Sequence, residues 1–308
     1  MESWRIDVPN EIKGNIFGAQ TTLLTARGEK PWPIIPFQAG KTATNLLLVN
    51  RDPMNRTKTA LVLLLVLHAC RVGAGEVTVA VAANFRAPME LIARSFEQQS
   101  GHRATLVYGS SGKFFAQIRQ GAPFDLFLSA DQVKPLALIE AGLAEPSARI
   151  TYATGALALW SPDPDRVDAL GRVTKLLGES RTAIANPLLA PYGVAAMEVI
   201  NALGVNKPLN LVHGENVAQA YQFVSSGNAD LGFVARSQVL NNGVLRSGSA
   251  WLVPTHLHAP IRQDAVLLNR SSHKPPAVAL LNFLQSERAI RIIDSFGYQV
   301  VPESRGGG

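Results

Sequence analysis

Cysteine is almost absent: Cys70 stands alone among 308 residues. No disulfide within the chain is available, so stability must come from a packed core. Charge is sparse, with 17% Asp, Glu, Lys and Arg against 47% apolar residues, a balance that suits a globular chain and excludes a disordered one. The net charge of +6 is unevenly placed. Nine of the 29 basic and five of the 23 acidic residues precede residue 76, which leaves the remainder at only +2. With no basic stripe, the main body excludes nucleic acid as a partner. No apolar run approaches the roughly 20 residues that a membrane-spanning helix needs. Catalytic signatures are lacking as well: no HExxH, no nucleophile elbow, no usable catalytic cysteine. GSSGK at 109–113 has two residues between its glycines where a phosphate loop has four, and Phe114 follows Lys113 where Ser or Thr is required. His256 and His258 in THLH have no further metal ligands nearby and read as surface residues near a hinge. Asp125 and Asp131 flank DLFLSAD and read as structural caps rather than an acid pair.

The N-terminal part has a segmental pattern. From Met54, Arg56 and Lys58 form a short basic region, 60–69 is apolar, and Val72-Gly73-Ala74 precedes a cleavable bond. Residues 54–74 therefore read as a signal peptide, with the mature chain starting near Gly75. Leu67-His68-Ala69-Cys70 faintly resembles a lipobox, and the alternative is a lipoprotein anchored through Cys70. Residues 1–53 show no sustained period and are expected to be a non-native or disordered extension, with Met54 the true start. Residues 304–308 are expected to fray.

From residue 76 strand and helix patterns alternate. Strands are predicted at 77–81, 104–108, 125–129, 156–160, 182–186, 209–213, 231–235 and 265–268. Helices are predicted at 85–99, 113–120, 133–141, 166–177, from the 187–192 turn to about 203, and at 217–225, 276–284 and 287–296. This alternation predicts an α/β fold with parallel sheets. Four strand-to-helix turns are small, polar or Gly-rich: 82–84, 109–112, 187–193 and 214–216. In VTVAVAANFRAPM, Asn84 stands where a helix N-cap is expected, and Ala82 and Ala83 leave room beside it. Each turn alone is equally well a plain capped turn. Four helix N-termini meeting at the carboxyl ends of strands would form an anion site made only of donors.

Several segments, in this order, resemble the periplasmic molybdate-binding proteins of ABC uptake systems: VTVAVAANFRAPM, YGSSGKFFAQI, GAPFDLFLSADQ, NPLLAPYG, GENVAQA and FGYQV. The resemblance covers about 76–302. It implies a two-lobed α/β periplasmic binding fold with parallel-rich sheets and the ligand cleft between lobes. Lobe one would be 76–154 plus 254–303, and lobe two 155–253. It also implies a monomeric solute carrier rather than an enzyme. Such a carrier has no cofactor, takes molybdate or tungstate, and passes it to an ABC permease at the inner membrane. The alternatives are sulfate or another oxyanion as ligand, or an enzyme or sensor domain on the same fold. The oxyanion ligands implied are Asn84, Ser111 (hydroxyl and N–H), the N–H groups of Tyr192 and Val217, and Ala83. The proposed set contains no carboxylate, which favours a fully ionised dianion over protonated phosphate. One departure concerns LGFVARS, where the family often carries tyrosine at the position of Ala235. Either one hydrogen bond is lost or the Tyr192 hydroxyl replaces it.

Overall fold

The computed structural model describes residues 74–168, 172–205, 208–271 and 274–300. The signal-peptide, lipobox and 1–53 readings, with the 304–308 tail, lie outside the described residues, apart from Ala74 at the end of the signal-peptide segment. Among the described residues no helix is long and apolar enough to cross a membrane.

Two five-stranded sheets organise the chain. The first has the order β2-β1-β3-β12-β4, built from Glu76–Ala82 (β1), Arg103–Gly109 (β2), Leu126–Leu128 (β3), Ala144–Gly155 (β4) and Ile261–Leu268 (β12). The second has the order β11-β5-β8-β6-β7, from Leu157–Ser161 (β5), Arg181–Ala185 (β6), Asn210–Gly214 (β7), Leu231–Ala235 (β8) and Ser249–Leu252 (β11). A two-residue ladder, Leu240–Asn241 with Val244–Leu245 (β9 and β10), forms a small hairpin.

Both sheets are mixed rather than parallel throughout. β1 runs parallel to β2 and β3, and β6 runs parallel to β7 and β8. The antiparallel strands are those that carry the chain out of one sheet and back: β4 and β12 in the first, β5 and β11 in the second. β4 ends at Gly155 and β5 begins at Leu157, while the return runs from Leu252 to Ile261.

Burial on both faces explains the apolar strands. Val77, Val79 and Val81 point one way, into a core with Phe85, Met89, Ile92 and Phe96. Those last side chains come from Phe85 and from Arg86–Ser100 (α1). Ala80 and Phe127 point the other way, against Phe114, Ile118, Phe124 and Leu138 under Ser111–Arg119 (α2) and Val133–Glu140 (α3). α1 stops at Gly101, whose left-handed φ of 72° lets its N–H return to the Glu97 carbonyl at 3.0 Å, a conformation that glycine adopts without penalty. The second sheet packs under Val173–Glu179 (α4), Pro191–Ala202 (α5) and Val217–Ser225 (α6). The short Arg236–Val239 (α7) follows β8, and the closing helices Pro275–Leu284 (α8) and Glu287–Ser295 (α9) return to the first sheet, where they pack beside α1. Residues 166–168, expected to be helical, are not; the helix begins at Val173.

Candidate functional site

The four turns singled out in the sequence meet. Residues Ala82, Ala83, Asn84, Gly109, Ser110, Ser111, Ala130, Ala190, Pro191, Tyr192, Asn216 and Val217 enclose one small cavity between the carboxyl ends of the two sheets. Its free space is small, about the room that one water molecule needs. No residue in this lining is charged.

Each helix leaves a particular donor free. The first N–H groups of a helix have no intrahelical acceptor. At α5, Ala190 has no side chain to cap with and Pro191 has no N–H, so Tyr192 presents the first amide. At α6, the Asn216 side chain accepts from Ala218 and Gln219 at 3.0 and 3.1 Å, which leaves the N–H of Val217 unclaimed by the cap. At α2, Ser110 accepts the Lys113 N–H. The Ser111 oxygen accepts the Ala130 N–H at 2.9 Å, so the Ser111 proton is left to donate. Ala83 and Asn84 lie in a 3-10 turn before α1, and no side chain caps that turn.

Asn84 departs from its expected role as a cap. The residue preceding α1 is Phe85, again with no side-chain cap. The tight turn over Ala83–Phe85 draws Asn84 inside the bend, and its side chain meets residues far along the chain. Its Nδ2 lies 2.8 Å from Gln263 Oε1 and 3.1 Å from the Tyr298 hydroxyl. Its backbone carbonyl accepts from Tyr298 at 2.8 Å and from Ser237 at 3.2 Å. Tyr152 donates to Gln263 Oε1 and lies 3.1 Å from the Ser129 carbonyl. Phe85 packs edge-on against Tyr152 and Tyr298 and holds both rings.

The two sides of the cavity also touch directly. The Gly112 N–H donates to the Leu189 carbonyl at 2.8 Å. Lys113 pairs with Glu215 at 3.1 Å across the rim, both partly exposed.

Residues 77–299 match the family described as bacterial extracellular solute-binding proteins. The chain belongs to that family. This solute-binding protein is 47% identical over 234 residues to the molybdate-binding protein ModA of Azotobacter vinelandii, across 75% of this chain and 93% of that protein. It is 48% identical over 244 residues to ModA of Rhodobacter capsulatus, across 79% and 94%. Among solved structures, the Azotobacter vinelandii periplasmic molybdate-binding protein matches with a TM-score of 0.70 at 38% identity, covering 73% of this chain and 99% of that one.

In this solute-binding protein, burial governs the tyrosines behind the cavity. Burial pushes the phenols of Tyr152 and Tyr192 well above the usual range, helped by the neighbouring Tyr298. Burial raises Tyr298 to about 12 against the opposing influence of the nearby Ser237, Asn84 and Tyr192 groups. All three therefore remain protonated donors. The Tyr192 hydroxyl points to Tyr298 and Gln263, where Gly155 leaves space. Ala235 is fully buried, its N–H bonded to Gln238 Oε1 at 2.9 Å, and does not line the cavity.

Asp125 and Asp131 serve the scaffold. Asp125 ties the Thr78 N–H (2.8 Å), Lys274 (2.7 Å) and Ser271 together, and Asp131 accepts the Lys134 N–H at the start of α3. Sequence reasoning missed Ser110, Ala130, Gln263 and Tyr298. Ser110 carried a visible signal as the first serine of GSSGK, at an N-cap position. Gln263 and Tyr298 carried none, because they reach Asn84 from 179 and 214 residues away.

Proposed function

We propose that this protein captures molybdate, and tungstate by the same geometry, in the cavity between its two sheets and delivers it to an ABC permease. The observation that carries this reading is the donor set: helix N-termini from both sheets face one neutral cavity in which no carboxylate stands. Such a site suits a fully ionised tetrahedral dianion, since helix N-termini favour negative charge. A protonated oxyanion would need an acceptor for its own hydrogen. The relatives named ModA support molybdate over sulfate.

The ligands are the Ser111 hydroxyl and N–H, the N–H groups of Ala83, Tyr192 and Val217, and Asn84. Residues 76–154 with 254–303 form one lobe and 155–253 the other, and the lobes hinge about the two crossings. Closure brings Gly112 against Leu189 and Lys113 against Glu215, sealing the ligand away from water. The protein is a monomeric carrier and not an enzyme, a reading supported by its solute-binding relatives, and the ligand leaves unchanged. It works in the periplasm, exported by the 54–74 segment.

Calorimetric titration of the full chain with molybdate, tungstate, sulfate and phosphate tests this. Molybdate and tungstate should bind far more tightly than the other two. Equal affinity for sulfate, or preference for phosphate, would overturn the assignment.

A further inference from the structure

We infer that Gln263 is a positioning residue that decides which end of the Asn84 amide faces the oxyanion. The inference rests on the reading above, that Asn84 lines an oxyanion site.

Gln263 is fully buried and Tyr192 is 2% exposed. With Asn84 Nδ2 turned toward Gln263 Oε1, two buried groups lack a full hydrogen bond: Gln263 Nε2 and the Tyr192 hydroxyl. They face one another. A Cβ on Gly155 would lie 2.2 Å from the Tyr192 oxygen and 2.7 Å from Gln263 Nε2. Orphaned polar groups of this kind are costly. In that orientation both Asn84 amide protons are also spent on Gln263 and Tyr298, and none is left for a ligand.

The oxygen and nitrogen of an amide have nearly the same shape, so partners decide which end goes where. Turning both amides over removes every conflict at once. Gln263 Oε1 then accepts from the Tyr192 hydroxyl. Gln263 Nε2 donates to Asn84 Oδ1 and to the Tyr152 oxygen, while Tyr152 gives its own proton to the Ser129 carbonyl. The Ser237 hydroxyl donates to the Asn84 backbone carbonyl, and Tyr298 donates to Asn84 Oδ1. The Asn84 NH2 group is then turned away from Gln263 and Tyr298 and is free to donate in the cavity that Asn84 lines. Tyr192 thus acts twice: its backbone amide faces the ligand, and its hydroxyl selects the amide orientation two residues removed. Gly155 has no side chain because one there would occupy the space in which the Tyr192 and Gln263 groups meet.

The test is a double-mutant cycle on the full chain, read by molybdate calorimetry. Gln263→Met keeps the length of the side chain and removes its hydrogen bonds; Asn84→Ala removes the amide it positions. Each single variant should lose about tenfold or more in affinity, the scale of a lost hydrogen bond to a charged partner. In the Asn84→Ala background, Gln263→Met should cost nothing further. Tyr192→Phe should behave as Gln263→Met does and carries the same cycle if the methionine variant fails to fold. Losses that add, or a Gln263→Met protein that binds like the parent, would overturn the inference while leaving the carrier function intact. A parent that does not bind molybdate would overturn the function and the inference together.

Discussion

Gly112→Ala separates closure from folding. Gly112 is the second residue of α2, and its N–H meets the Leu189 carbonyl at 2.8 Å. A methyl group there would stand 2.8 Å from that same oxygen and 3.1 Å from Leu189 Cα, well inside the contact distance of about 3.5–4.0 Å. Both nearby atoms are backbone, so the Leu189 loop has to retreat as a unit, and the hydrogen bond lengthens past its useful range. Losing a neutral hydrogen bond costs about 0.5–1.5 kcal/mol, and overpacking costs about 1–3 kcal/mol. Together they weaken molybdate binding by about tenfold to a thousandfold, at 1.4 kcal/mol per decade. The ligand-free protein should not suffer. On the proposed closure this contact is made together with the ligand, and alanine is preferred to glycine in a helix by up to about 1 kcal/mol. Molybdate calorimetry and a ligand-free melting curve on the same sample measure both quantities. Affinity within about twofold of the parent would refute the steric argument. A melting temperature that falls in step with affinity would show a permanent contact rather than a closing one.

Other substitutions probe single contacts. Ser111→Ala should weaken molybdate binding by about 1–3 kcal/mol and also lower the melting temperature, because the buried Ala130 N–H loses its acceptor; unchanged affinity would remove the hydroxyl from the site. Lys113→Ala should cost at most about 1 kcal/mol of binding, the range of exposed ion pairs, and the cost should vanish in high salt; a larger, salt-independent loss in calorimetry would mean that Lys113 touches the ligand. Asn84→Asp should fold, since Tyr298 and a turned Gln263 can donate to the carboxylate, while molybdate affinity falls by orders of magnitude. The repulsion is about 4 kcal/mol per pair of unit charges at 4 Å and intermediate dielectric. A folded Asn84→Asp protein that binds like the parent would take Asn84 out of the site. For Asp125, burial pushes the carboxyl up, but its bonds with Lys274, Ser271 and Thr78 outweigh this and hold it below the usual value. Its stabilisation is thus complete above the unfolded pKa, near 4, and is lost as pH falls through the lower folded value. Denaturant titrations in acid should show a shallower pH slope for Asp125→Asn than for the parent; equal slopes would refute the assignment.

Much of the second-sheet and helical frame is legible from periodicity alone, because the strands are short, mostly apolar and bounded by turn residues. α6 and β8 fall where the pattern places them, at 217–225 and 231–235. β4 was not legible. Its sequence AEPSARITYATG carries proline and exposed polar residues, which a strand at the edge of its sheet tolerates and a pattern search rejects. The same holds for the beginning of β12, where Arg262 interrupts the run. The turns around the cavity were readable because each is a local strand-to-helix junction. The layer behind them was not. The side chains that hold Asn84 come from β12, from the stretch after α9 and from α7, and only the folded chain brings them together.

The order of strands in the first sheet has a kinetic side. β12 lies between β3 and β4, yet it is made more than a hundred residues after β3. Until it arrives, β3 has one bare edge and β4 has no neighbour in its sheet at all. The second sheet has no such debt, since all of its strands fall between Leu157 and Leu252. Folding therefore has a built-in sequence of events. The inserted sheet can assemble from a continuous stretch, while the sheet that begins the chain waits for a late central strand and pays the loop-closure entropy of the whole insertion. At ordinary rates of synthesis, about 5–20 residues per second, β12 follows β3 by several seconds or longer, and until then one edge of β3 and all of β4 stay unpaired in that sheet.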